Sequence, residues 1–160
     1  MKSLVLYDSV FGNTASIAGT VHSVLEKKGE AVRMAASDFT RDHLQSVDLL
    51  VLGSPTRAFE PTKAIMQALK SIQSEDLKRM KVAVFDTRMD VEGMNIKVLK
   101  LFSKLRGYAA DTMSKYIIKK GGLRTGETMG FIVENSEGPL RDGETERAVR
   151  WIKDIVEQWQ

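Results

Sequence analysis

The sequence predicts an α/β protein with a doubly wound, five-stranded parallel sheet, in a single domain covering residues 1–160. Five short apolar runs have the length and β-branched content of strands, and they alternate with amphipathic helical patterns. Three of these runs are apolar on both faces, as a parallel sheet requires when helices cover each side of it. A chain of 160 residues and 17.9 kDa can bury one core.

The strand runs are residues 3–7, 31–35, 49–52, 82–85 and 130–133. Two helices are indicated by apolar residues that recur on one face, at Ile17, Ala18, Val21, Val24 and Leu25 after the first strand and at Ala148, Val149, Ile152, Ile155, Val156 and Trp159 near the end of the chain. Pro61 is predicted in the first turn of another helix, where its missing N–H costs nothing. Residues 95–120 predict two further helices, divided near Gly107.

Composition excludes several classes of function. The chain has no cysteine, which excludes thiol nucleophiles, CxxC redox pairs and iron–sulfur clusters, so redox chemistry would need a bound organic cofactor or a non-thiolate metal. The net charge of +3 is scattered over the chain, so no nucleic-acid-binding groove is expected. The first apolar run stops at Asp8, too early for a signal peptide or a membrane span, and we expect a cytoplasmic protein.

The loop after the first strand is the first candidate site. In an open parallel sheet, ligands bind at the carboxyl ends of the strands, beside the first strand. Residues 9–14 include small, hydroxyl and amide residues around a glycine, and their backbone N–H groups could converge on one anion. A plain turn followed by a helix cap is the alternative. The loop lacks the GK[ST] of nucleoside triphosphatases and the GxGxxG of dinucleotide folds.

In this loop Ser9, Gly12 and Thr14 are in register with the phosphate loop of the flavodoxin family, which the sequence resembles over its whole length; Phe11 replaces a hydroxyl residue. The resemblance implies the strand order 2-1-3-4-5 and FMN as cofactor. It also implies that phosphate is held by the backbone of the loop residues Ser9, Val10, Phe11, Gly12, Asn13 and Thr14.

Two further loops correspond, by this resemblance, to the segments that hold the isoalloxazine ring. The first contributes Pro55, Thr56, Arg57, Ala58 and Phe59, and the second contributes Asp86, Thr87, Arg88, Met89 and Gly93. Phe59 could lie against the ring or pack on the core. The usual stacking tyrosine or tryptophan is missing from the second loop, where Met89 could cover the ring with its thioether.

Arg57 and Arg88 stand in the two ring loops, and a guanidinium near the reduced ring would raise its reduction potential. Nearby acidic residues, including Asp86 and Glu60, could offset this effect. From the two arginines we expect the bound flavin to have reduction potentials less negative than those in an acidic flavodoxin.

The resemblance favours an electron-transfer protein that shuttles electrons between redox partners and has no catalytic residue or metal site. Because the sequence pI is about 9.1, the partner is expected to present an acidic docking face. One alternative is an NAD(P)H-dependent flavin or quinone reductase on the same fold. Another is a binding or regulatory domain that has lost the flavin.

Overall fold

The computed structural model describes residues 1–158, so the predicted helix residue Trp159 lies outside the described part. Its strands are β1 (Lys2–Tyr7), β2 (Glu30–Ala35), β3 (Leu49–Pro55), β4 (Lys81–Met89), β5 (Leu123–Arg124) and β6 (Met129–Val133). Its α-helices are α1 (Asn13–Leu25), α2 (Lys63–Ser71), α3 (Ser74–Leu77), α4 (Lys97–Arg106), α5 (Ala109–Lys119) and α6 (Glu144–Glu157). Two short 3₁₀ turns, Ala36–Asp38 and Arg41–Leu44, connect β2 to β3.

The sheet is parallel in every strand pair and has the order β2-β1-β3-β4-β5, which confirms the predicted α/β class and the order 2-1-3-4-5. The fifth position is divided between two consecutive segments. β5 pairs with the start of β4 at Lys81 and Val82, and β6 pairs with its second half from Phe85 to Met89. Gly126, with φ +69°, lies in the interruption between the two segments.

The three central strands β1, β3 and β4 are buried on both faces, as their apolar runs predicted. Helices α1 and α6 cover one face of the sheet, over Val5, Val51 and Phe85. Helices α2 and α5 cover the other face, over Leu4, Leu50 and Val84. The edge strand β2 is largely exposed.

Two strands run further than the apolar runs suggested. β3 continues to Pro55 and β4 to Met89, because their pairing persists through Ser54 opposite Asp86 and Pro55 opposite Thr87. The predicted second ring loop is therefore strand up to Met89. The prediction that Pro61 lies in the first turn of a helix is also wrong, since Thr62 is the N-cap of α2 and its side chain accepts from the Ile65 N–H.

Helix α4 differs from the other long helices because it belongs to neither core cluster. Its only buried residue is Ser103. Gly107, with φ +72°, divides α4 from α5 as predicted, since this left-handed conformation favours glycine. Among the helices described within residues 1–158, none is long and apolar enough to cross a membrane.

Candidate functional site

A cavity of about 280 Å³ opens at the carboxyl ends of β1, β3 and β4. This is the edge at which open parallel sheets bind ligands. Its lining consists of Val10, Phe11, Asn13, Thr14, Pro55, Thr56, Arg57, Ala58, Thr87, Arg88, Met89, Val133 and Ser136. The cavity therefore brings together the three loops that the sequence singled out.

The loop between β1 and α1 is shaped from inside by Ser9. Its hydroxyl oxygen accepts from the Gly12 N–H at 3.1 Å and from the Ala15 N–H at 3.2 Å, so it caps the helix in place of the N-cap residue. Gly12 is that N-cap, and its φ of +93° suits glycine. The Asp8 carboxylate accepts from the Ser9 N–H at 2.9 Å and so holds the start of the loop.

Four backbone N–H groups of this loop remain for a ligand. Within residues 1–158, the N–H groups of Val10, Phe11, Asn13 and Thr14 donate to no protein acceptor. The first turn of α1 contains no acidic residue, so the positive end of the helix dipole is not offset there. Such a cradle of neutral donors at a helix N-terminus fits a phosphate group.

A buried hydrogen bond joins the first turn of α1 to β4. The hydroxyls of Thr14 and Thr87 lie 2.7 Å apart, and both side chains are buried. The side-chain amide of Asn13 donates to the Glu137 carbonyl at 2.9 Å and so ties the loop to the segment before α6. The loop is thus positioned by β4 and by the segment that precedes α6.

The second loop closes in a two-residue turn. Arg57 and Glu60 exchange both backbone hydrogen bonds, at 2.8 and 2.9 Å, and the central residues Ala58 and Phe59 have φ values of +48° and +67°. These are left-handed conformations that glycine and asparagine usually supply, so this glycine-free turn is strained. The Arg57 guanidinium lies 5.4 Å from the centre of the Phe11 ring and bridges the two loops.

The sequence predicts Asp86 among the cofactor-binding residues, but the fold buries it outside the cavity lining. Asp86 is fully buried; its carboxylate accepts from Arg88 at 2.6 and 2.8 Å and from the Ala110 N–H at 2.8 Å. Because β4 continues to Met89, residues 86 and 88 point to the same face of the sheet and can form this pair. Burial raises the pKa of the Asp86 carboxyl, and the Arg88 guanidinium opposes that shift.

Arg88 lines the cavity and is held by three contacts. Its guanidinium lies 3.7 Å from the centre of the Tyr108 ring, and a Cβ on Gly130 would come within 2.3 Å of its Nε. The guanidinium therefore contacts the Tyr108 ring, lies close to the Gly130 backbone and pairs with Asp86. Its charge is offset by that carboxylate, whereas Arg57 has no ion pair within the described residues.

Five predicted residues do not line the cavity. Ser9 and Gly12 shape the phosphate loop from behind it, and Asp86 holds Arg88. The Phe59 ring turns the other way, toward the rings of Phe102 at 6.3 Å and Tyr108 at 6.0 Å. The Gly93 N–H donates to Asp90 at 2.9 Å, in a turn beyond β4.

Sequence reasoning missed two lining residues, Val133 and Ser136. Val133 is the last residue of β6, and Ser136 follows it in the next loop. Both residues could have been predicted from the strand run 130–133, because the carboxyl end of every parallel strand reaches the same edge of the sheet.

Comparison with protein-family models matches residues 4–125 to the flavodoxin domain. This match covers most of the chain and includes most of β1, all of β3 and β4, and the three predicted loops of the cavity. The chain belongs to the flavodoxin family. Comparison with curated proteins gives no match.

Solved structures with this fold include an archaeal flavodoxin, which is 16% identical with a TM-score of 0.76 over 99% of this chain and 98% of that one. Flavodoxin 2 from Bacillus cereus is 20% identical, with a TM-score of 0.74 and 99% of each chain covered. Rubredoxin oxygen:oxidoreductase from Desulfovibrio gigas is 13% identical with a TM-score of 0.74; the match covers 98% of this chain and 35% of that one. The fold thus occurs both alone and as part of a longer chain.

Proposed function

We propose that this protein binds FMN at the carboxyl edge of its sheet and carries electrons between redox proteins in the cytoplasm. The observation that carries the proposal is the set of four free backbone N–H groups at the start of α1, beside the cavity. Membership of the flavodoxin family supports the same cofactor. Bound FMN would supply the redox chemistry, while the protein would position it and adjust its potential.

Each part of the cavity has a role in this proposal. The N–H groups of Val10, Phe11, Asn13 and Thr14 would hold the phosphate without an ion pair. The strand ends at Pro55 and Met89 would flank the ring. The residues present fit FMN, because the donors are neutral and the lining is partly apolar.

An FMN titration followed by quenching of flavin fluorescence tests the proposed cofactor, and riboflavin, which lacks the phosphate, is the matched ligand. Val10 is exposed and lines the cavity, so Val10→Glu places a negative charge near the phosphate, and Val10→Gln changes the size equally without charge. We expect Val10→Glu to weaken FMN binding about tenfold relative to Val10→Gln, the equivalent of ~1.4 kcal/mol. Riboflavin binding should be the same in both variants.

A purified protein without flavin absorbance that also fails to bind added FMN would contradict the proposal and favour a flavin-free binding domain. The reductase alternative gives a different result. Rapid anaerobic bleaching of the FMN-loaded protein by NADPH would indicate an NAD(P)H-dependent enzyme, and a slow reaction would support the carrier.

The two arginines of the cavity should affect the reduction potential unequally. Arg88 is paired with the buried Asp86, whereas Arg57 has no carboxylate partner within the described residues. We therefore expect Arg57→Gln to lower the midpoint potential of the bound flavin, because it removes an uncompensated positive charge. A redox titration measures the shift, and equal potentials in Arg57→Gln and the unaltered protein would contradict this expectation.

A further inference from the structure

Helix α4 presents an apolar stripe to solvent. The stripe consists of Val98, Leu101, Phe102 and Leu105, which are 61%, 57%, 46% and 73% exposed. These residues are spaced i, i+3, i+4 and i+7 and so share one face of the helix. Contiguous exposed apolar patches on a folded protein mark interaction sites, whereas single exposed apolar residues do not.

Positive charge is concentrated along one border of the α4 stripe. At 100° per residue, Lys97, Lys100 and Lys104 lie along one border of the stripe. No acidic residue occurs in α4, so this border is purely basic. On the opposite border, Arg106 pairs with Glu60 at 3.7 Å, and both side chains are exposed.

The α4 stripe is continuous with the candidate cofactor site. Phe102 stacks on Phe59 at 6.3 Å, and Phe59 belongs to the turn whose Arg57 and Ala58 line the cavity. Across the cavity mouth, Val10 and Phe11 are 51% and 45% exposed. Exposed apolar side chains therefore lie at the phosphate loop and on α4, and the turn that contains Arg57 and Phe59 connects the two regions.

We propose that the α4 stripe is the docking surface for an acidic redox protein whose carboxylates border an apolar patch. This proposal rests on the proposed electron-transfer function. The apolar side chains would anchor the complex, and the lysine border would steer the encounter and set its orientation. Docking here places the partner next to the cavity, which is where electrons would have to leave.

The charges argue against two other occupants. A second copy of the chain would bring its own lysine border close to this one, and like charges would repel. A membrane-surface helix is expected to carry cations along its whole polar face, whereas here the opposite border carries the exposed carboxylate of Glu60. A carboxylate beside anionic lipid headgroups would be repelled.

The test uses two small haem proteins as electron acceptors, the acidic cytochrome b5 and the basic cytochrome c. Stopped-flow mixing with the photoreduced, FMN-loaded protein should show faster transfer to cytochrome b5, at a rate that falls with salt. A Lys97→Glu, Lys100→Glu, Lys104→Glu variant should reverse this preference. A Val98→Ser, Leu105→Ser variant should slow transfer to cytochrome b5 about tenfold, as loss of an anchoring pair does.

Matched controls make the same changes elsewhere on the surface. Lys27→Glu, Lys28→Glu, Lys153→Glu alters the same charge at a cavity between α1 and α6, and Ile118→Ser, Leu123→Ser alters exposed apolar residues of α5 and β5. Both controls should leave the transfer rate within about twofold, as surface changes outside an interface do. If the variants of the α4 stripe behave like these controls, the proposal is wrong.

Two further measurements separate the possible failures. Calorimetric binding of oxidised cytochrome b5 needs no flavin, so loss of this binding in the stripe variants supports the docking surface even if FMN does not bind. Binding to phosphatidylcholine vesicles containing phosphatidylglycerol, or dimers in sedimentation, would overturn the proposal if the same stripe variants abolish them.

Discussion

Helices α6 and α4 carry the same kind of apolar pattern, but the fold covers only one of them. In α6, Ala148, Ile152 and Ile155 are almost completely buried against the sheet and α1. In α4, Leu101 and Leu105 face solvent, and only Ser103 is buried. The difference shows that an amphipathic pattern identifies a helix with one apolar face without identifying what covers that face.

The apolar face of α6 contributes to stability, whereas the exposed stripe of α4 is available for recognition of a partner. Burial of the α6 face contributes free energy of folding through its apolar area. The α4 stripe contributes much less to folding, because about half or more of each of its side chains stays exposed to water. If this contrast is right, substitutions should change the free energy of unfolding strongly in the covered regions and hardly at all in the stripe.

The largest loss of stability is expected at Asp86, a charged residue that is as fully buried as the apolar face of α6. Asp86→Ala would leave the Arg88 guanidinium, which is only 18% exposed, without its buried carboxylate partner, and loss of one member of a buried ion pair costs about 3–5 kcal/mol. Urea unfolding measures the change. The surface pair of Arg124 and Glu127 provides the control, because Glu127→Ala should cost less than about 1 kcal/mol. Equal losses in the two variants would contradict the role assigned to burial.

The α6 face itself should be nearly as sensitive. Ile152→Ala removes a fully buried side chain from the cluster with Phe85 and Val51, and it should lower the free energy of unfolding by about 2–5 kcal/mol. Thermal or urea unfolding tests this value. A loss of less than about 1 kcal/mol would mean that the site relaxes around the missing atoms.

A smaller effect is expected where the backbone of β6 closes over Arg88. Gly130→Ala places a Cβ against that guanidinium, and overpacking of this kind costs about 1–3 kcal/mol. In an Arg88→Ala background the same substitution should cost much less, because the clash is gone. An unchanged cost in that background would show that the strain lies elsewhere.

The ion pair of Arg41 and Asp76 should make the free energy of unfolding depend on pH. The Arg41 guanidinium lowers the pKa of the Asp76 carboxyl, so this pair stabilises the fold above the unfolded pKa and the contribution is lost as pH falls through the folded pKa. Asp76→Asn should therefore reduce stability at pH 7, with a difference from the unaltered protein that shrinks below roughly pH 4. Unfolding curves across this range would reveal a pH-independent difference if the pairing contributes nothing.

The smallest effect belongs to the uncovered helix. Leu105→Ser in the α4 stripe should change the free energy of unfolding by no more than about 0.5 kcal/mol, because the side chain is 73% exposed. The measurement is the same urea titration used for Ile152→Ala. A loss of about 2 kcal/mol or more would show that α4 is packed like α6, and the contrast would fail.

The sequence was sufficient for the features that depend on local pattern and chain order. The apolar strand runs alternate with helical patterns along the chain, and the resemblance of residues 9–14 indicated the strand order. The phosphate loop and the ends of β3 and β4 were expected at one edge because parallel strands bring their carboxyl ends together. Most of the predicted site residues line one cavity for this reason.

Only the tertiary structure decided which side chains face that cavity. Asp86 turns toward α5 and away from the cavity, whereas Arg88 pairs with it and lines the cavity, because β4 runs to Met89 through its pairing with β3 and β6. Phe59, which has a positive φ in its turn, packs against Phe102 and not into the cavity. α4 remains uncovered, and none of its residues belongs to either core cluster, whereas α2 and α5 pack on the sheet. Periodicity along one segment specifies its apolar face, but what meets that face is set by partners far away in the chain.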